Sequence, residues 1–188
     1  VSDHNKWKER FPSMQRIMHS ADVRGSDRWP YIDMTAIEHQ LSGPGPWDIS
    51  QLPGVIGRGL PAGLLSAIHT PGHSAGSLSF LAREPLVRPV ASVDTTTEAV
   101  IDGEGGVLFS GDHFCFSARL GRLDGMGRYG DDLKEQARSI AKLADEPFLH
   151  LLPGHSRRYV FESADDRRRS IDKAARDFAE DPLGSRVF

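Results

Sequence analysis

The residues best suited to chemistry sit behind three short apolar runs. The tetrapeptide Pro-Gly-His-Ser occurs twice, as Pro71–Ser74 and as Pro153–Ser156. The first copy follows Leu64–His69 and the second follows Phe148–Leu152. Between them, Val107–Ser110 runs into Gly111-Asp112. The same local design therefore appears three times: a buried strand, a glycine turn, then an imidazole or a carboxylate. Glycine lets the chain turn sharply, so the next side chain stands over the end of the sheet. In α/β sheets, sites gather beyond the carboxyl ends of strands. Two imidazoles and a carboxylate meeting there suit a divalent ion such as zinc, which accepts His nitrogen and Asp oxygen. Asp3 and His4, near the start of the chain, add two further candidate ligands.

The elements that must position these residues follow from periodicity and caps. Asp3 to about Phe11 reads as a short helix, and Arg16–His19 as a short strand. Residues 42–63 are dense in Gly and Pro and read as turn and loop. Leu64–His69, Ser77–Ala82, Val107–Ser110 and Phe148–Leu152 read as four strands. Residues 83–105 read as an insertion or a long excursion, and 118–130 are rich in Gly and Arg. Asp132 with Glu135 forms a capping-box pattern ahead of a stripe of Leu133, Ala137, Ile140, Ala141 and Ala144. Ser163 caps a last helix with Ile171, Ala174, Ala175 and Phe178 on one face. Strands alternating with helices predict an α/β fold.

Composition sets the outer bounds. The chain has 188 residues, which favours one domain, 1–188. A net charge of −3 gives no bulk electrostatic footprint for nucleic acid, and none is expected as a partner. No apolar run approaches the roughly 18–20 residues of a membrane span. Cys115 is the only cysteine, which excludes an intrachain disulfide; flanked by Phe114 and Phe116, it reads as a small buried residue. No Gly-x-Ser-x-Gly elbow and no Walker-type phosphate loop is present. The chain opens Val1-Ser2-Asp3-His4, without an initiator Met or a signal-peptide core, and reads as a processed or trimmed piece that is soluble and intracellular.

His69-Thr-Pro-Gly-His73-Ser-Ala-Gly-Ser77, Leu108-Phe-Ser-Gly-Asp112 and Leu152-Pro-Gly-His155 resemble the third, fourth and fifth motifs of the metallo-β-lactamase superfamily, in order and in spacing. The opening Ser-Asp-His-Asn-Lys-Trp and the ending Leu-Leu-Pro-Gly-His-Ser-Arg-Arg resemble a plant, algal and cyanobacterial subgroup, some of whose members carry a ferredoxin-like segment upstream. The resemblance implies an αββα sandwich of two sheets flanked by helices, of which this chain would form the C-terminal portion. The remaining strands would come from a longer parent chain or a partner. It implies metal ligands at Asp3, His4, His73, Asp112 and His155. Zinc is the first choice of divalent metal, with iron or manganese as alternatives. The family signature has a histidine where this chain has Val1, which implies asymmetric binding or one strongly held ion.

The expected chemistry is hydrolysis of a small ester, thioester or lactone. A divalent ion lowers the pKa of a bound water from 15.7 toward about 7, so no protein nucleophile is needed. Asp3 is the expected catalytic residue, orienting the attacking water or accepting its proton. His113 and Arg157 are candidates for contact with substrate, and His69 for support of the ligands. His19, His39 and His150 read as histidines without catalytic work. Three alternatives stay open: a non-catalytic interaction or scaffold module, a nucleic-acid-processing hydrolase, and a mononuclear iron dioxygenase. The subgroup resemblance implies a plastid location.

Overall fold

The computed structural model describes residues 4–23, 37–56, 59–83 and 105–182. The expected insertion at 83–105 falls almost wholly outside these residues, as do Val1 and Asp3.

The chain begins with α1 (His4–Arg10), an exposed helix on which Trp7 and Phe11 stack with ring centroids 5.9 Å apart. Strand β1 (Ile17–His19) follows, then the single turn α2 (Ser20–Val23). β1 pairs in parallel with β2 (His39–Leu41). Together these form a small N-terminal unit.

The main body is a six-stranded mixed sheet. Its members are β3 (Trp47–Asp48), β4 (Leu65–His69), β5 (Leu78–Ala82), β6 (Gly106–Gly111), β9 (Phe148–Pro153) and β10 (Tyr159–Val160), in spatial order β10-β9-β6-β5-β4-β3. Between β6 and β9 the chain forms a hairpin, β7 (Phe114–Ser117) with β8 (Arg122–Gly125), and then helix α3 (Leu133–Lys142). The chain's described part closes with α4 (Ala164–Glu180).

Alternation along the strands builds the core. Leu81 of β5, Leu108 of β6 and Leu151 of β9 lie side by side in register and are fully buried. α3 and α4 cover them with Ile140, Ile171 and Phe178. Both helices start where their caps place them. The Asp132 carboxylate accepts from the Glu135 amide at 2.9 Å, and the Ser163 hydroxyl accepts from the Asp166 amide at 3.1 Å. The opposite face is partly covered near β4 by a smaller cluster of Leu41, Ile49 and Ala67.

Four expected strands are observed, no end shifted by more than one residue. Two stretches carry short elements that no local pattern marks. Within the Gly- and Arg-rich residues 118–130, Arg122–Gly125 is strand β8. Residues 42–63 contain β3 and a 3₁₀ turn at Ile49–Gln51, capped by Asp48, whose carboxylate also holds the Gly63 amide at 2.7 Å. No helix among the described residues is long and apolar enough to cross a membrane.

Candidate functional site

Strand direction places the three motifs at one end of the sheet. β4 and β6 are both antiparallel to β5, so they run parallel to each other, and β9 runs parallel to β6. The carboxyl ends of β4, β6 and β9 therefore share one edge. At roughly 4.8 Å per strand, β6 and β9 ends are immediate neighbours, and the β4 end is on the order of 10 Å from β6.

Backbone contacts make this edge tight. The Gly154 amide donates to the Gly111 carbonyl at 2.7 Å, joining the fifth motif to the fourth. A Cβ on Gly154 would lie 2.7 Å from Asp112 Oδ1, so the absence of a side chain there makes the seat for the carboxylate. Asp112 in turn meets His155, with Nδ1 and Oδ1 2.6 Å apart. Both side chains reach solvent.

His73 stands on the loop after β4 and is half-buried. Its Nδ1 lies 3.3 Å from the carbonyl of Met126, just past β8. An Nδ1–H donating to that carbonyl would leave Nε2 as the ligating nitrogen, the usual division of labour in a metal-binding imidazole. The loop itself is pinned to α3. Gly72 has φ +131°, and a Cβ there would sit 2.3 Å from the Gln136 backbone. The Gly72 carbonyl accepts from the amides of Asp131 and Asp132, both at 2.9 Å.

The other expected residues fall in three places. His4 opens α1, where its Nδ1 lies 2.9 Å from an Arg16 guanidinium nitrogen. Arg16 also binds Asn5 and Glu38, and holds the Glu38 carboxyl well below the usual carboxylate range. Arg157 is exposed and bridges to Phe116, its amide donating to the Phe116 carbonyl at 3.4 Å. His113, expected to touch substrate, is instead packed inside, 1% exposed, and neither ring nitrogen has a hydrogen-bond partner. Burial pushes its imidazole down to about 3, with the nearby His73 adding to the effect. Asp3 lies outside the described residues.

The structure thus brings Asp112 and His155 into contact and sets His73 on the same sheet edge. Among the described residues it gathers no group of three or more His, Cys, Asp or Glu side chains close enough to hold an ion. Cys115 is buried as expected, and burial pushes its thiol up to about 12.

Supporting residues complete the edge. His69 Nε2 donates across the third-motif loop to the Ala75 carbonyl at 2.9 Å. His19 stacks on His69 with ring centroids 3.9 Å apart. Asp22 contacts the same loop and was not apparent as a site residue from the sequence, since Ser20–Val23 carries no motif.

No family model matches the chain, and no curated protein does. Among solved structures, an archaeal metallo-beta-lactamase superfamily protein from Sulfolobus tokodaii superposes with a TM-score of 0.51 at 12% identity, over 91% of this chain and 61% of that one. The fold is that of the metallo-β-lactamase superfamily. A metallo-beta-lactamase family protein from Thermus thermophilus also aligns, at 14% identity and TM-score 0.42, over 97% of this chain and 46% of that one. The chain thus spans under two thirds of the length of either protein.

Proposed function

We propose that the protein is a metal-dependent hydrolase acting on a small ester, thioester or lactone. The observation that supports this reading most is the Asp112–His155 contact beside the loop of His73, all at the carboxyl ends of β4, β6 and β9. The donor types fit a divalent ion, and the space left by Gly154 fits the carboxylate. His73, Asp112 and His155 would hold the ion, with Asp3 and His4 joining from the N-terminal segment. Zinc is the proposed metal, with iron or manganese as alternatives that imidazole and carboxylate also accept. One strongly held ion is proposed, since Val1 stands where the fold family carries a further histidine. When bound, such an ion would supply Lewis acidity and activate water.

The chain's own residues have separable tasks. Asp112 would place its carboxylate between the fourth and fifth motifs, where His155 Nδ1 orients it. The Met126 carbonyl would fix the tautomer and ring plane of His73. Asp3 would orient the attacking water or take its proton. Arg157, exposed two residues after His155, would meet an anionic part of the substrate.

The test is metal analysis joined to turnover. One tightly bound ion per chain, lost in Asp112→Asn and His155→Ala, is expected. Turnover of a panel of thioesters and lactones is expected to stop with chelator and return with zinc. Two tightly bound ions would overturn the one-ion reading. A protein that binds no ion at saturating zinc would instead be a non-catalytic module on this fold.

A further inference from the structure

We propose that Asp22 is a positioning residue for His73, clamping the third-motif loop from the N-terminal unit. This rests on the reading of His73 as a ligand.

Asp22 and the loop lie 52 residues apart in sequence, yet both carboxylate oxygens are engaged there. Oδ2 accepts from the Ser74 hydroxyl at 2.7 Å, and Oδ1 accepts from the Gly76 amide at 2.8 Å. Ser74 directly follows His73, so the clamp acts one residue from the ligand. Gly76 is shaped for the contact, because a Cβ there would lie 2.6 Å from Asp22 Cγ. Hydrogen bonds to an ionised carboxylate are the stronger kind, and two from one group fix direction as well as distance.

The clamp has its own brace. The Ala21 amide donates to His19 Nδ1 at 3.2 Å, so Nε2 carries the ring hydrogen and donates to the Gly43 carbonyl at 3.0 Å. This fixes the turn that carries Asp22. The same His19 ring stacks on His69, whose Nε2 meets the loop at the Ala75 carbonyl. The loop is thereby held from two sides: by α3 behind Gly72, and by Asp22 and His69 around Ser74–Gly76. A group that sets the geometry of a metal ligand from one step away typically changes metal affinity by 10–100-fold when removed.

The experiment compares Asp22→Ala and Ser74→Ala with Asp48→Ala as control. Asp48 holds three donors in its own loop, so its loss removes comparable bonds away from His73. Three readouts are taken on the full chain: amide exchange at Gly76, the ring nitrogen resonances of His73, and zinc affinity by chelator competition. Asp22→Ala is expected to speed Gly76 exchange at least tenfold, shift the His73 resonances, and weaken zinc binding roughly 10–100-fold. Asp48→Ala should leave all three unchanged. Should Asp22→Ala fail to fold, Ser74→Ala, which keeps the Gly76 bond, is expected to shift the His73 ring in the same direction by less. His73 resonances and zinc affinity like those of wild type in a folded Asp22→Ala or Ser74→Ala protein would overturn the proposal. If the wild-type chain binds no zinc, the hydrolase reading fails by itself, and the His73 resonances alone decide the role of Asp22.

Discussion

Gly154 shows how much one missing methyl can carry. Its φ lies outside the left-handed region, so alanine meets no left-handed strain there. The severe overlap is with Asp112 Oδ1, 2.7 Å from the added carbon, while the Gly111 backbone at 3.2 Å has to give by only a few tenths of an ångström. Gly154→Ala should therefore act on the carboxylate rather than on the fold. Zinc affinity is expected to fall about tenfold. The thermal midpoint should move by less than about 4 °C, the equivalent of about 1 kcal/mol for a chain of this size. His113 illustrates the opposite case, a buried polar ring with nothing to bond. Its folded pKa of about 3 lies below an unfolded value near 6.5. The unfolded chain then binds the extra proton between these limits, so stability is intact above about pH 6.5 and is lost as pH falls toward 3. The slope from this one group is about 1.4 kcal/mol per pH unit. His113→Leu should flatten it. Urea unfolding at pH 7 and pH 4.5 reads the difference; equal acid sensitivity in the two proteins would show that other groups set it.

At the scale of elements, the third-motif loop and α3 act as one piece. Gly72 lies against the Gln136 backbone, and Ser139 donates to the Pro71 carbonyl at 2.8 Å. Gly72→Ala combines a left-handed φ with a backbone collision that no rotamer can relieve. A loss of about 2–4 kcal/mol is expected, read as a drop of more than about 5 °C in thermal midpoint. A variant as stable as wild type would mean that loop and helix separate freely. Such pairings also explain what the sequence could reveal. β4, β6 and β9 announced themselves as apolar runs stopped by Gly or Pro, β5 as an apolar run, and α3 and α4 by Asp132 and Ser163. The same glycines made the His73, Asp112 and His155 positions readable. β8 did not, because Arg-Leu-Asp-Gly has one apolar residue and no alternation, and its pairing with β7 is decided in space. The inward turn of His113 and the reach of Asp22 depend on contacts across 23 to 54 residues, which no local pattern encodes.

The described residues build two unequal cores. The larger lies between the sheet and α3/α4 and includes Leu81, Leu108, Ile140, Leu151 and Phe178, each fully buried. The smaller, beneath the N-terminal unit, has Leu41, Ile49 and Ala67 as its buried members. Local stability follows buried apolar contact, so β1 and β2 should open at lower cost than β5 and β6. Native-state hydrogen exchange in low denaturant is expected to resolve two isotherms, with the His39–Leu41 amides below those of Leu81 and Leu108. This ordering gives a test of His4, which opens α1 in the N-terminal unit. An ion held jointly by His4 and by Asp112 with His155 would bind only when the unit is docked. It would then raise the opening free energy of β1 and β2 by RT ln(1 + [L]/Kd), about 2.7 kcal/mol at a hundredfold excess over Kd. Zinc is therefore expected to lift the lower isotherm toward the upper one. A lower isotherm that stays in place while Asp112 and His155 bind zinc would remove His4 from the ligand set, would also count against coupling of the ion through Asp22, and would leave the ion to the sheet edge alone.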